Sequence, residues 1–229
     1  MSSNIVNLYM VATPIGNLED ITLRALRILK EVDFILAEDT RVTRKLLSHY
    51  DIDTPLKSYH QHSSKRKIEK IEDMLKNGNN IALVTDAGTP GISDPGNELI
   101  AELLSSNIGN YINFIPIPGA SATSALASVS GLPMHEFVFL GFPPQKRKRK
   151  KFFKRLAEFD IPVILYESSH RIIKTLNELE EEMEAETVVG RELTKKFETI
   201  YRGPLKEVRE QIENDKIKGE FVLILHKKK

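Results

Sequence analysis

The densest reactive grouping in the chain follows the apolar run Phe34, Ile35, Leu36 and Ala37, where Glu38, Asp39 and Arg41 set two carboxylates and a guanidinium at the end of a buried strand. A carboxylate in that position can take a proton from a hydroxyl, and a guanidinium can grip an anion through parallel hydrogen bonds. Other polar clusters compete for these roles. His60 offers an imidazole that accepts a proton near neutrality. His170 with Arg171, and Arg191 and Glu192 with Lys195 and Lys196, stand at the ends of later apolar runs. Each has a plainer reading as well: Asp39 can cap the helix that follows it, and Arg191 can pair with Glu192 across strands.

Three turns rich in glycine and proline suggest a different kind of site. They are TPIGN at 13–17, DAGTPGISDPG at 86–96 and PGASA at 118–122, and each follows an apolar run. Ligands of open α/β sheets bind outside the carboxyl ends of the strands. Three such turns on one rim therefore point to a ligand approached by backbone groups, although strand-to-helix turns also need Gly and Pro for their own geometry. None of the three matches G-x-G-x-x-G or G-x-x-x-x-G-K-[ST], so the pattern does not invite NAD or a nucleoside triphosphate.

Eight of the ten residues 146–155 are Lys or Arg, in a chain whose 33 Lys and Arg nearly balance 32 Asp and Glu. Lys146, Arg147, Lys148, Arg149, Lys150 and Lys151 open this run. A self-repelling stretch of that kind is neutralised by phosphates, which makes it the expected contact for an RNA backbone. Phe152 and Phe153 offer faces for base stacking, though adjacent aromatics opening a helix more often divide into one core and one surface residue. The six acidic residues within 178–186 read as an exposed helix face with no part in RNA contact.

Elements must hold these groups in place. In the first half, strands at 8–13, 34–37, 81–85 and 111–117 alternate with helical patterns. One helix runs to Lys30 from an Asp20 cap, with Leu23, Leu26 and Leu29 on one face. Another spans about 40–47, a third carries Ile68, Ile71 and Leu75, and a fourth carries Leu99, Leu103 and Leu104. Residues 58–64 read as a polar segment between them. Strands separated by such helices pair in parallel through crossovers, and their unbroken apolar runs suit burial on both faces. The second half holds strands at 136–142, 162–167, 187–192, 197–203 and 220–225 with fewer helices between them. Its run TVVGRELTKKFETIYRG reads as a hairpin and hence a mixed sheet. The expectation is two α/β domains, 1–118 and 119–229, with a cleft between them.

At 229 residues and 41% hydrophobic, the chain can bury a sizeable core. With no cysteine it has no disulfide, no thiolate nucleophile and no Cys-based zinc site. The histidines are scattered, and the i, i+2 pair His60 and His62 in a polar segment is a weak metal signal, so no metal is expected. No apolar stretch approaches the roughly 20 residues of a membrane span, and the N-terminus lacks the features of a signal peptide. A cytoplasmic address is expected.

Taken together, YMVATPIGN, DAGTPGISDPG, PGASA, SSHR and RELTKKFE resemble the tetrapyrrole methylase superfamily over essentially the whole chain. Within it they are similar to the type that methylates the ribose 2′-OH of a cytidine in 16S ribosomal RNA. The resemblance implies S-adenosylmethionine as cofactor, folded between two α/β domains, and a homodimer acting on 16S RNA, within the small ribosomal subunit. It implies cofactor contact at Pro14, at Thr89, Pro90, Gly91, Ile92 and Ser93, and at Ser121 and Ala122, with Tyr166 as a further wall. One departure matters: many superfamily members carry Gly-Asp-Pro where this chain has Gly88, Thr89 and Pro90, which argues against a porphyrin-type substrate. Two alternatives stay open, a relative acting on a tetrapyrrole precursor or a protein side chain, and a non-catalytic RNA-binding assembly factor. For the reaction itself, Glu38, Asp39 and Arg41 come first as acid-base and clamping groups, with His60 second.

Overall fold

A computed structural model describes residues 5–60, 65–215 and 217–228, and the chain divides into two compact units, Met1–Ser121 and Ala122–Lys229. In the first unit the strands are β1 (Val6–Val11), β2 (Phe34–Ala37), β3 (Leu56–Ser58), β4 (Ile81–Val84) and β5 (Ile112–Ile117). They form a five-stranded sheet in the order β3-β2-β4-β1-β5, with every pairing parallel. Between them lie α1 (Leu23–Glu31), α2 (Thr40–His49), α3 (Lys65–Lys76) and α4 (Asn97–Ser105).

Both faces of this sheet are covered, which is why its strands are apolar at consecutive positions. Ala82 and Val84 of β4 pack with Ala25, Ile28 and Leu29 of α1 and Leu47 of α2. Their neighbours Ile81 and Leu83 pack on the opposite face with Ile71 and Leu75 of α3 and Leu99 and Leu103 of α4. The crossovers toward β3 thus carry α1 and α2 on one face, and those returning toward β5 carry α3 and α4 on the other, as a common handedness requires.

Three local expectations are corrected. Thr22, not Asp20, caps α1, its hydroxyl accepting the Ala25 amide at 3.0 Å, while Asp20 ends a short 3-10 turn capped by Asn17. The buried face of α1 is Ala25, Ile28 and Leu29, leaving Leu23 86% exposed. The edge strand β3, residues 56–58, is not among the expected strands and takes Ser58 from the segment read as polar at 58–64. His62 lies outside the described residues.

The second unit opens with α5 (Ala122–Ser128). It continues through β6 (Val138–Gly141), α6 (Arg149–Leu156), β7 (Val163–Ser168), α7 (Ile172–Glu180), β8 (Ala185–Arg191), β9 (Thr199–Pro204), α8 (Leu205–Glu213) and β10 (Glu220–Lys227). Its sheet runs β6-β7-β10-β8-β9. Only β6 and β7 pair in parallel, and β8 and β9 form the antiparallel hairpin expected from the sequence. Helices α6, α7 and α8 bury Phe153, Leu176 and Val208 against Leu165, Val189 and Leu223 on one face. On the other face α5 brings Leu126 so close to β8 that a Cβ on Gly190 would lie 2.9 Å from its Cδ1. The acidic stretch is not a free helix face: Glu178 and Glu180 hold Arg149 and Arg209 at 2.6 and 2.7 Å.

Candidate active site and basic surface

All five strands of the first unit end on one rim, and β4, β1 and β5 are adjacent there. Their three turns are tied together by backbone. Thr13 and Gly88 exchange N–H···O bonds of 2.9 and 3.0 Å, and the Ala12 amide donates to the Ile117 carbonyl at 3.1 Å. Thr13 Oγ1 donates to the Thr85 carbonyl and Thr89 Oγ1 to that of Ala120. Thr89, Gly91, Ile92, Ser93 and Ser121 are half-buried or exposed on these tied turns, with Ile92 44% exposed, whereas Pro14 and Pro90 are buried. Ala122 begins α5, in the second unit.

The glycines of the long turn serve the protein first. At Gly91, φ +84°, a Cβ would sit 2.8 Å from Asn97 Oδ1, and at Gly96, φ +149°, it would sit 2.9 Å from Met10 Cε. The room left by these missing side chains is filled by Asn97 and Met10, so Gly91 and Gly96 shape the turn instead of opening space beside it.

Glu38 and Asp39 stand at the end of β2, where the register Ala37↔Val84 sets them beside Thr85 and Asp86. The Asp39 amide donates to Asp86 Oδ1 at 2.9 Å. Asp86 is a candidate that sequence reasoning misses, and only the β2–β4 pairing brings it beside Glu38 and Asp39. The two carboxylates of the pair differ sharply. Asp39 caps α2 through the Arg41 amide at 2.8 Å and binds the Arg41 guanidinium at 2.6 Å, which holds its carboxyl far below the usual range. Glu38 is half-buried. Burial and then the Asp86 charge push its carboxyl up, against the Asp86 amide and His60, which pull it down. His60 follows β3 on the same rim, and the preceding Tyr59 amide donates to the Ala37 carbonyl at 2.7 Å. The arrangement leaves one carboxylate locked in an ion pair and another that is half desolvated and more basic.

In the second unit Tyr166 lies on β7, its hydroxyl 2.8 Å from Thr123 Oγ1 and its ring edge-on to Phe139 and Phe142. Lys146, Arg147, Lys148, Lys150 and Lys151 are all exposed. Lys148 takes φ +68° and precedes α6 with no side-chain cap, and the first turn of α6 contains no acid. Cations therefore crowd the positive end of a helix dipole, an arrangement that stores a strong positive potential. Arg149 is different. Its side chain is buried and spent on Glu178, Thr175 and the Pro144 carbonyl, so it cannot join the exposed set. Phe153 is core and Phe152 half-buried. Of the remaining candidates, Arg171 is paired to Glu167 at 2.6 Å, Arg191 to Asp215 at 3.3 Å, and Glu192 to Lys195 at 2.8 Å. Arg191 and Glu192 thus take separate partners.

The model of the tetrapyrrole (corrin/porphyrin) methylases matches residues 7–209. The chain belongs to that family. Among its relatives, the ribosomal RNA small subunit methyltransferase I of Bacillus subtilis is 46% identical over 95% of this chain and 74% of its own length. The protein of that name from Thermotoga maritima is 42% identical over 95% of this chain and 97% of its own. Solved structures share the fold. A cobalt precorrin-4 methyltransferase superposes with TM-score 0.69 at 18% identity, covering 96% of this chain and 94% of that one. A diphthine synthase gives TM-score 0.69 at 14% identity, covering 96% and 90%.

As a tetrapyrrole methylase-family member the chain is a methyltransferase, and S-adenosylmethionine is its cofactor. The rim fits that molecule chemically. Ile92 offers an exposed apolar wall, and Thr89, Ser93 and Ser121 offer hydroxyls among backbone amides, which suits an adenosine joined to an amino acid.

Proposed function

We propose that the protein transfers a methyl group from S-adenosylmethionine to the ribose 2′-OH of a cytidine in 16S ribosomal RNA. The observation that supports this reading most is the likeness, across 95% of the chain, to proteins named ribosomal RNA small subunit methyltransferase I. The exposed cations at 146–148 and 150–151 are the independent support from chemistry, since a polyanion is the partner such a surface selects.

Pro14, Thr89, Pro90, Gly91, Ile92, Ser93 and Ser121 form and hold the cofactor's place at the rim of the first unit. Bound there, the cofactor supplies an electrophilic methyl on a sulfonium. The protein's remaining tasks are to set the ribose oxygen in line with that methyl and to accept the hydroxyl proton. Glu38 is the proton acceptor, because a carboxylate pushed upward is a better base than one held down by Arg41. Asp39 and Asp86 fix the turn that carries it, and His60 balances its charge. On the same reading the RNA is met within the small subunit, and the working form is a cytoplasmic homodimer.

The test is transfer of labelled methyl to small-subunit particles or 16S RNA, followed by mass spectrometry of the nucleosides. A single 2′-O-methylcytidine is expected. Label on protein or on a tetrapyrrole, with none on RNA, would replace this reading, and binding of RNA without any transfer would leave only an assembly role.

A further inference from the structure

Beneath the basic segment of the second unit lies a chain of polar groups that the reaction does not use. Glu167, whose side chain is 0% exposed, accepts from Arg171 Nη2 at 2.6 Å and from the Ser168 amide at 2.8 Å on one oxygen. Its other oxygen accepts the Thr175 hydroxyl at 2.6 Å. The Thr175 oxygen accepts from Arg149 Nη2 at 2.7 Å, and Arg149 Nε donates to Glu178 at 2.6 Å. Arg171 Nε also reaches the Ser168 hydroxyl at 3.4 Å, and the Nη1 of each arginine goes to one of two consecutive carbonyls. Arg171 Nη1 donates to that of Pro143 at 3.2 Å and Arg149 Nη1 to that of Pro144 at 3.0 Å.

Buried ion pairs are poor stabilisers, because desolvation offsets most of their attraction and an apolar replacement often does as well. What this one does achieve is placement. The exposed stretch 145–148 is held at one end by the two proline carbonyls and at the other by Arg149, which is itself the first residue of α6. Neither proline has an amide hydrogen and both have a fixed φ, so that end of the stretch is stiff before the arginines reach it. Lys148 adds a left-handed residue, which keeps its conformation only where the surroundings enforce it.

We infer that Glu167 and Thr175 are positioning residues for RNA recognition, acting through Arg149 and Arg171 to hold Lys146, Arg147 and Lys148 in a fixed array that matches the phosphates of the substrate. This rests on the RNA reading above. A mobile arm with the same charges would still attract any polyanion. A fixed one adds preference for one shape, because its side chains lose less freedom on binding.

The experiment compares Thr175→Val, which keeps the shape but removes the bridging hydroxyl, with Thr175→Ser, which keeps the hydroxyl. Both are measured beside the parent for affinity toward small-subunit particles and toward poly(U), for salt dependence, and for trypsin cleavage at Lys146, Arg147 and Lys148. In Thr175→Val, particle affinity is expected to fall by about tenfold while poly(U) affinity and the salt slope hold, and cleavage is expected to quicken by about the same factor. Thr175→Ser is expected to behave as the parent. Should Thr175→Val fold poorly, Glu178→Gln loosens Arg149 from the partly exposed side and is expected to give the same pattern. Equal losses in Thr175→Val and Thr175→Ser, or unchanged particle affinity in the folded Thr175→Val or Glu178→Gln protein, overturn the inference. A parent that fails to prefer particles over poly(U) overturns the RNA reading, and this inference with it.

Discussion

At the scale of single residues, the neighbouring carboxylates Glu38 and Asp39 behave oppositely because their surroundings do. Glu38 is raised by burial and by Asp86. An acid whose folded value lies above its unfolded one favours folding below the unfolded value and disfavours it once pH rises through the folded value. Ionised Glu38 near neutrality is therefore a cost in stability, and its proposed role as proton acceptor gives a reason for bearing it. Glu38→Gln is expected to lower kcat by about 10²- to 10⁴-fold, to leave S-adenosylmethionine affinity unchanged, and to keep or raise the melting temperature. In the parent, the acid limb of the pH–rate profile is expected above the ordinary glutamate value of 4.5, and in the Gln variant it should vanish. A Gln variant that retains parental kcat would remove Glu38 from the reaction. Asp39 gives the reverse sign. Its lowered value contributes stability above the ordinary aspartate range and loses it as pH falls. Asp39→Ala, which also loses the α2 cap, should melt earlier than the parent at pH 7, with the gap closing on acidification.

At the scale of elements, the turns of the first unit need their glycines for unequal reasons, on the rim at Gly96 and at the opposite end of the sheet at Gly78. Gly96 sits at φ +149° with Met10 Cε 2.9 Å and the Gly91 amide 3.2 Å from where a Cβ would go, whereas Gly78 has φ +86° and open space around it. Gly96→Ala is expected to cost about 1–3 kcal/mol through overpacking as well as backbone strain, and to weaken cofactor binding because the turn must shift. Gly78→Ala is expected to cost about 1 kcal/mol from strain alone. Urea midpoints together with S-adenosylmethionine titrations separate the two, and equal effects would mean that packing at Gly96 is irrelevant.

The alternation of apolar runs and helices is legible from residue types, and so is the convergence of three turns on one rim, because both follow from local periodicity. The cap of α1 is not, since Asp20 and Thr22 carry equally good capping oxygens and only the chain's path chooses between them. β3 is hidden in the sequence because three half-buried or exposed residues at a sheet edge leave almost no apolar signal. Arg149 is indistinguishable from its basic neighbours for a deeper reason: Glu167, Thr175 and Glu178 form its network from 18 to 29 positions away, and no spacing rule connects residues so far apart.

At the scale of the whole molecule, a net charge of +1 conceals a polarised one, with acid and base balanced overall but not locally. The run 146–151 tests this because its six cations divide into two kinds. Replacing Lys146, Arg147, Lys148, Lys150 and Lys151 by Gln removes only exposed charge. RNA affinity should then fall, and the log–log slope against salt should flatten by about 0.7–0.9 for each phosphate no longer neutralised, while cofactor affinity and melting temperature stay near the parent's. Arg149→Gln removes one charge of the six, yet it leaves Glu178 and Thr175 without their donor and should cost about 3–5 kcal/mol of stability. Its salt slope should match the parent's wherever the protein is folded. A steep change in slope from Arg149→Gln, or a large loss of stability from the five-residue exchange, would reverse the division between the charges that face solvent and the charge that faces the core.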